Sequence, residues 1–85
     1  MSNTKVNPDQ QHNTNAESKL VGKTIKRVHY LSNKDAENLM WYKRPIVIEF
    51  EDGSMIIPQM DDEGNDGGAL MYLGADDTHD VIYTI

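Results

Sequence analysis

PIVIEFEDGSMIIPQ, residues 45–59, holds two apolar runs on either side of Asp52-Gly53. An Asp-Gly pair between β-prone runs is a strong signal for a two-residue type I′ hairpin. Centred there, the turn pairs Glu51 with Ser54, Phe50 with Met55, Glu49 with Ile56 and Ile48 with Ile57. Side chains alternate along a strand, so Ile46, Ile48, Phe50, Met55 and Ile57 share a core-facing side. Val47, Glu49, Glu51, Ile56 and Pro58 then form a mixed outer side. Pro58 has no N–H to give to a ladder and predicts a strand end or a sheet edge.

Working towards the N-terminus, SNKDAENLMWY (32–42) reads as a short helix. Ser32 is a good N-cap, Asp35 three residues on completes a capping-box pattern, and Ala36, Leu39 and Met40 fall on one face. Pro45 bars continuation, because the residue before a proline is pushed away from helical angles. LVGKTIKRVHYL (20–31) reads as a first strand. Ile25 stands three residues before Val28, which breaks a simple alternation, and a bend or bulge near Lys26 restores the register.

Towards the C-terminus, turn residues make 60–68 and 74–80 loops. ALMYL (69–73) is a strand or a single helical turn, and VIYTI (81–85) is a β-prone end. The expectation is an α+β domain: a small, mainly antiparallel β-sheet or partly open barrel of 4–5 strands with one short helix. Its expected core is Ile25, Val28, Tyr30, Leu39, Trp41, Ile46, Ile48, Phe50, Met55, Ile57, Leu70, Val81 and Tyr83.

The chain has 85 residues, enough for one small domain. Residues 1–19 contain only Met1, Val6 and Ala16 as apolar residues, too few to offset the entropy of ordering, and are expected to be a disordered polar tail. Residues 20–85 then form the compact domain. There is no Cys, which removes disulfides, thiolate metal sites and Cys nucleophiles. No apolar run is long enough to span a membrane and no signal peptide is visible, so the expected compartment is the cytoplasm.

Charge is unevenly spread. The chain carries 8 Lys+Arg against 14 Asp+Glu, a net charge of -6. Every Lys and Arg lies at or before Arg44, while ten acids lie in 45–85. Either basic and acidic strands neutralise each other as neighbours, or the surface is bipolar. The surplus of negative charge disfavours direct nucleic-acid binding through phosphate neutralisation.

Two stretches stand out as candidate sites. Asp61, Asp62, Glu63 and Asp66, with Asp76 and Asp77, form two acidic loops suited to a protein partner with a basic surface. An EF-hand reading fails, because Gly is needed where Asp66 stands and Glu where Tyr72 stands, and no metal or other cofactor is expected. Trp41, Tyr42, Lys43 and Arg44 set two aromatics beside two cations. With Lys26, Arg27 and the bare backbone of Gly67 and Gly68, they are the alternative site, for a nucleotide. His12, His29 and His79 are scattered, and no nucleophile–base set, Zn spacing or P-loop occurs, so no catalytic residue is assigned.

Val21-Gly22-Lys23, Trp41-Tyr42-x-Arg44-Pro45, Glu51-Asp52-Gly53-Ser54, Pro58 and the string from Asp62 through Leu70 (DEGN-x-x-GAL) together resemble a group of small bacterial and bacteriophage proteins. The resemblance covers residues 21–73 and the DEGN-x-x-GAL string is its most specific part. That group has no established activity, so the resemblance implies a compact domain of bacterial or phage origin and nothing about chemistry.

The sequence therefore points to a non-enzymatic, acidic protein-interaction module, phage-encoded and directed at a host protein, with nucleic-acid mimicry as a special case. The alternatives are a protein that sequesters a signalling nucleotide and a homo-oligomeric structural protein, with a homodimer formed through the 81–85 edge strand.

Overall fold

The computed structural model describes residues 7–85. In chain order these give α1 (Pro8–Leu20), β1 (Ile25–Tyr30), α2 (Asn33–Leu39), β2 (Ile46–Phe50), β3 (Met55–Ile56), β4 (Leu70–Leu73) and β5 (His79–Ile82). β1, β2 and β3 form an antiparallel sheet with β2 in the centre, and β4 and β5 form a separate antiparallel ribbon. The architecture is a small α+β fold without a closed barrel.

α1 occupies much of the stretch whose composition predicts an unstructured tail; residues 1–6 of that stretch lie outside the described residues. The reason is local. Asn7 caps the helix by accepting the Asp9 N–H at 2.9 Å, Pro8 sits in the first turn, and Asp9 and Lys19 carry charges that oppose the helix dipole. Lys19 Nζ also donates to Asn15 Oδ1 one turn back, at 2.9 Å. The helix buries no residue, so it adds nothing to the core.

β1 runs alongside β2 with Val28 opposite Ile48 and Tyr30 opposite Ile46. The register shifts between Ile25 and Arg27, leaving Lys26 as the extra, bulged residue. The bulge returns Ile25 to the same side as Phe50, its partner across the ladder. Ser32 caps α2, its hydroxyl accepting the Asp35 N–H at 3.1 Å. α2 ends earlier than Pro45 requires. Met40 turns left-handed at φ 61° and its N–H returns to the carbonyls of Ala36 and Glu37. That turn leaves Leu39 and Met40 exposed, so Ala36 alone carries the buried face of the helix.

The β2–β3 register differs from a two-residue turn by one position. Ile48 pairs with Ile56 and Glu49 with Met55. Phe50 N–H donates to Ser54 O at 2.9 Å and Gly53 N–H to Phe50 O at 3.0 Å, which makes Glu51-Asp52-Gly53 a three-residue loop. Gly53 takes the left-handed place, at φ 91°. Asp52 fixes this choice: its Oδ1 accepts both the Ser54 N–H (2.9 Å) and the Ser54 hydroxyl (2.6 Å). A shift of one residue exchanges the faces of β3. Met55 is consequently 51 % exposed instead of buried, and Ile57 joins Val47 instead of Ile48.

Both faces of β2 are covered. On one face Val47, 2 % exposed, packs with Leu31 of the β1–α2 junction and Ala36 of α2, flanked by Trp41 and Ile57. On the other, Ile46 and Phe50 are buried and Lys23 Nζ stands 5.8 Å above the Phe50 ring. Val47 thus belongs to the core. Ile25, Val28, Tyr30, Leu39, Val81 and Tyr83, expected inside, are exposed, because β1 is an edge strand and the β4–β5 ribbon has an open side. Near the ribbon's base Arg44 and Ile85 exchange backbone hydrogen bonds, and Tyr30 Oη donates to Tyr83 O at 2.8 Å.

Candidate functional site

The two candidate stretches meet in space. The loop 61–66 is closed at its stem by an antiparallel bridge between Gln59 and Gly67, with Met60 N–H donating to Asp66 O and Gly68 N–H to Pro58 O. Within it, Asp61 accepts the Asn65 N–H (3.2 Å) and side-chain amide (2.7 Å). Trp41 Nε1 donates to Gly64 O at 2.7 Å. Asp66 Oδ1 accepts three backbone amides, those of Tyr42 (3.1 Å), Lys43 (2.9 Å) and Gly67 (2.8 Å). The acidic loop is therefore folded around the Trp41–Lys43 segment.

This arrangement sorts the acids. Hydrogen bonds from Asn65 lower the Asp61 carboxyl below the ordinary range. The amide of Lys43, with those of Gly67 and Tyr42, does the same for Asp66. The Thr78 hydroxyl and N–H act likewise on Asp76 at the tip of the β4–β5 ribbon. These three carboxylates are occupied in holding their own loops. Asp62, Glu63 and Asp77 are exposed, and among the described residues their side chains make no hydrogen bond or ion pair.

The alternative, nucleotide-directed set is arranged differently from a cradle. Gly67 N–H is taken by Asp66, and Gly68 N–H by Pro58 O. Both glycines serve close packing: a Cβ on Gly67 would lie 2.5 Å from Pro45 Cδ, and one on Gly68 2.9 Å from the Gln59 backbone. Arg27 is held by Glu49 (Nη2 to Oε2, 2.6 Å) and Lys26 is the bulged residue of β1. Arg44 Nη1 reaches Leu31 O at 3.4 Å. Tyr42 and Lys43 present their side chains to solvent, while Trp41 is half-buried against the core.

Glu49 lies outside both candidate stretches and gathers Arg27 and His29 onto one oxygen, His29 Nε2 lying 2.5 Å from Oε2. Arg27, then His29, lowers its carboxyl below the ordinary range. The signal was the β1–β2 register itself, which sets Arg27 opposite Glu49 and His29 one step along. A cleft of about 280 Å³ opens beside this trio over Val47 and Ile57, with Asp35 at its rim. His79 ends the ribbon, opposite Leu73. Among the described residues no group of three His, Asp or Glu side chains is placed to hold a metal ion, and no helix is long and apolar enough to cross a membrane.

No family model, curated protein or solved structure matches this chain.

The charge pattern resolves into two parts. Lys23 pairs with Asp52 at 2.8 Å, and Arg27 and His29 pair with Glu49. Among the described residues these are all the ion pairs, and all lie on the sheet or at the β2–β3 turn. Neighbouring strands thus neutralise each other there. Among the described residues no Lys or Arg side chain pairs with the loops 61–66 and 74–78.

Proposed function

We propose that the protein is a non-enzymatic interaction module that presents the acidic loop 61–66 to a protein with a basic surface. One observation carries this reading: Asp62 and Glu63 project from a loop that is internally fixed, with no Lys or Arg paired to it among the described residues. A charge held on a pre-formed loop needs little ordering on binding. Uncompensated charge of one sign steers encounter with an oppositely charged surface and is weakened by salt.

The inner acids have a separate duty in this reading. Asp61 and Asp66 shape the loop, and Asp62 and Glu63 meet the partner. A panel of lysine- and arginine-rich peptides, titrated by fluorescence anisotropy, tests the proposal. Binding should weaken steeply with added salt, and the double variant D62N/E63Q should bind roughly tenfold more weakly, about 1.4 kcal/mol for two charge contacts. Binding that ignores both salt and the double variant overturns the reading.

A further inference from the structure

The β4–β5 ribbon has one side partly covered at its base and the other left open. Cross-strand pairing puts Leu70 opposite Ile82, and both are half-buried. The reverse side carries Met71, Leu73, Val81 and Tyr83, which are 72 %, 60 %, 42 % and 65 % exposed. A shallow cleft of about 350 Å³ runs along that side, between Met71, Val81 and Tyr83, with His79 and Asp80 at the tip end. Two strands alone are marginal in water and gain stability when an apolar face is covered.

We infer that a second copy of this chain covers this face, ribbon against ribbon across a two-fold axis. Two features of the surface select that occupant. The first is area. Four side chains of about 200 Å² each, three-fifths exposed, offer about 500 Å² per copy, so a self-paired face buries up to about 1,000 Å², the lower threshold of a biological interface. The second is charge. The tip of the ribbon carries Asp76 and Asp77, while its base is tied by Ile85 to Arg44, next to Lys43. Neither Lys43 nor Arg44 joins an ion pair among the described residues.

An antiparallel two-fold arrangement lays the acidic tip of one ribbon beside the basic base of the other, twice. A parallel arrangement would bring the two acidic tips together. This dimer differs from addition of an edge strand by 81–85, because the contact is face to face and uses side chains, not the ladder. It uses neither Asp62 nor Glu63, so its test is separate from that of partner binding.

Sedimentation equilibrium of the purified full chain tests the inference. The expected species has twice the chain mass. M71E and V81K, placed on exposed positions and checked by circular dichroism for retained structure, should each weaken dimerisation about tenfold or more. K43Q and D77N should each weaken it about threefold. The double variant should be no weaker than the poorer single one, since each removes the same contact. A monomer at all concentrations, or a dimer untouched by M71E and V81K, overturns the inference. Strictly additive losses for K43Q and D77N overturn the antiparallel two-fold arrangement.

Discussion

Asp66 Oδ1 accepts the backbone N–H of Lys43 at 2.9 Å, and the same oxygen takes the amides of Tyr42 and Gly67. One carboxylate thereby joins two strings far apart in sequence, the Trp41–Pro45 segment and the loop that ends in Gly67-Gly68. Trp41-Tyr42-Lys43 and Gly64 through Gly67 are thus in direct contact. Asp66→Ala removes the acceptor from three amides at once. Its melting temperature should fall clearly further than that of Asp62→Ala, whose side chain holds nothing among the described residues. Equal melting temperatures for the two variants would show that the clamp contributes nothing.

Gly67 touches Pro45 across the same junction. A Cβ there would stand 2.5 Å from Pro45 Cδ and 3.2 Å from the Lys43 carbonyl oxygen. Pro45 is fully buried and has nowhere to move. Gly67→Ala is expected to cost about 2 kcal/mol in chemical denaturation, as overpacking of a filled site does. A loss under about 0.5 kcal/mol would place the variant among ordinary surface changes and contradict the close approach.

Met40 ends α2 with φ 61°, a conformation that carries a steric penalty for any side chain with a Cβ. Its side chain is exposed and packs against little that would be lost. Met40→Gly should therefore raise stability by about 1 kcal/mol, the usual benefit of glycine just past a helix end. A destabilised variant would mean that the Met40 side chain makes a contact of consequence.

Acidification separates two opposing effects. Arg27 and His29 hold the Glu49 carboxyl low, Lys23 and Ser54 that of Asp52, and loop hydrogen bonds those of Asp61, Asp66 and Asp76. When the folded value is lower than the unfolded one, the unfolded chain takes up protons first. The stabilisation is complete above the ordinary carboxylate range, about pH 4, and is lost as pH falls through the lowered folded values. Neutralising a net charge of -6 works the other way, by relieving repulsion. Five carboxylates with specific partners should prevail. The melting temperature is expected to stay level from about pH 7 to about pH 5 and to drop below about pH 4. A rise on acidification would show that bulk repulsion dominates.

Much of the sheet was legible in the chain because its signals are local. The odd spacing of Ile25 and Val28 calls for a bend or bulge near Lys26, and the ladder has a bulge there. Ser32 and Asp35 marked the start of α2. Asp52-Gly53 marks the hairpin but not its register. Asp-Gly suits both a two-residue and a three-residue turn, and the decision rests on Asp52 bonding Ser54, a side-chain choice that patterning does not encode. That single step sent Met55 outward. The helix at 8–20 was hidden for the opposite reason: it rests on caps and charges, with no apolar stripe to read. At the candidate site, the sequence marked the acids as a group. Their division into loop-holding Asp61, Asp66 and Asp76 and outward Asp62, Glu63 and Asp77 depends on which amides lie within reach.

The backbone pairing of Arg44 with Ile85 bears on the order in which the chain acquires its form. The β4–β5 turn closes over a few residues, and β1 meets β2 after a loop spanning only α2. Joining position 44 to position 85 closes the longest of these loops and carries the largest closure entropy. Short loops close first, so the sheet and the ribbon are expected to assemble as two separate early nuclei. Their docking through Arg44 and Ile85 then becomes the late event. Microscopic reversibility makes it the first to come apart, and the Ile85 amide should exchange with solvent hydrogen well before the amides of β2.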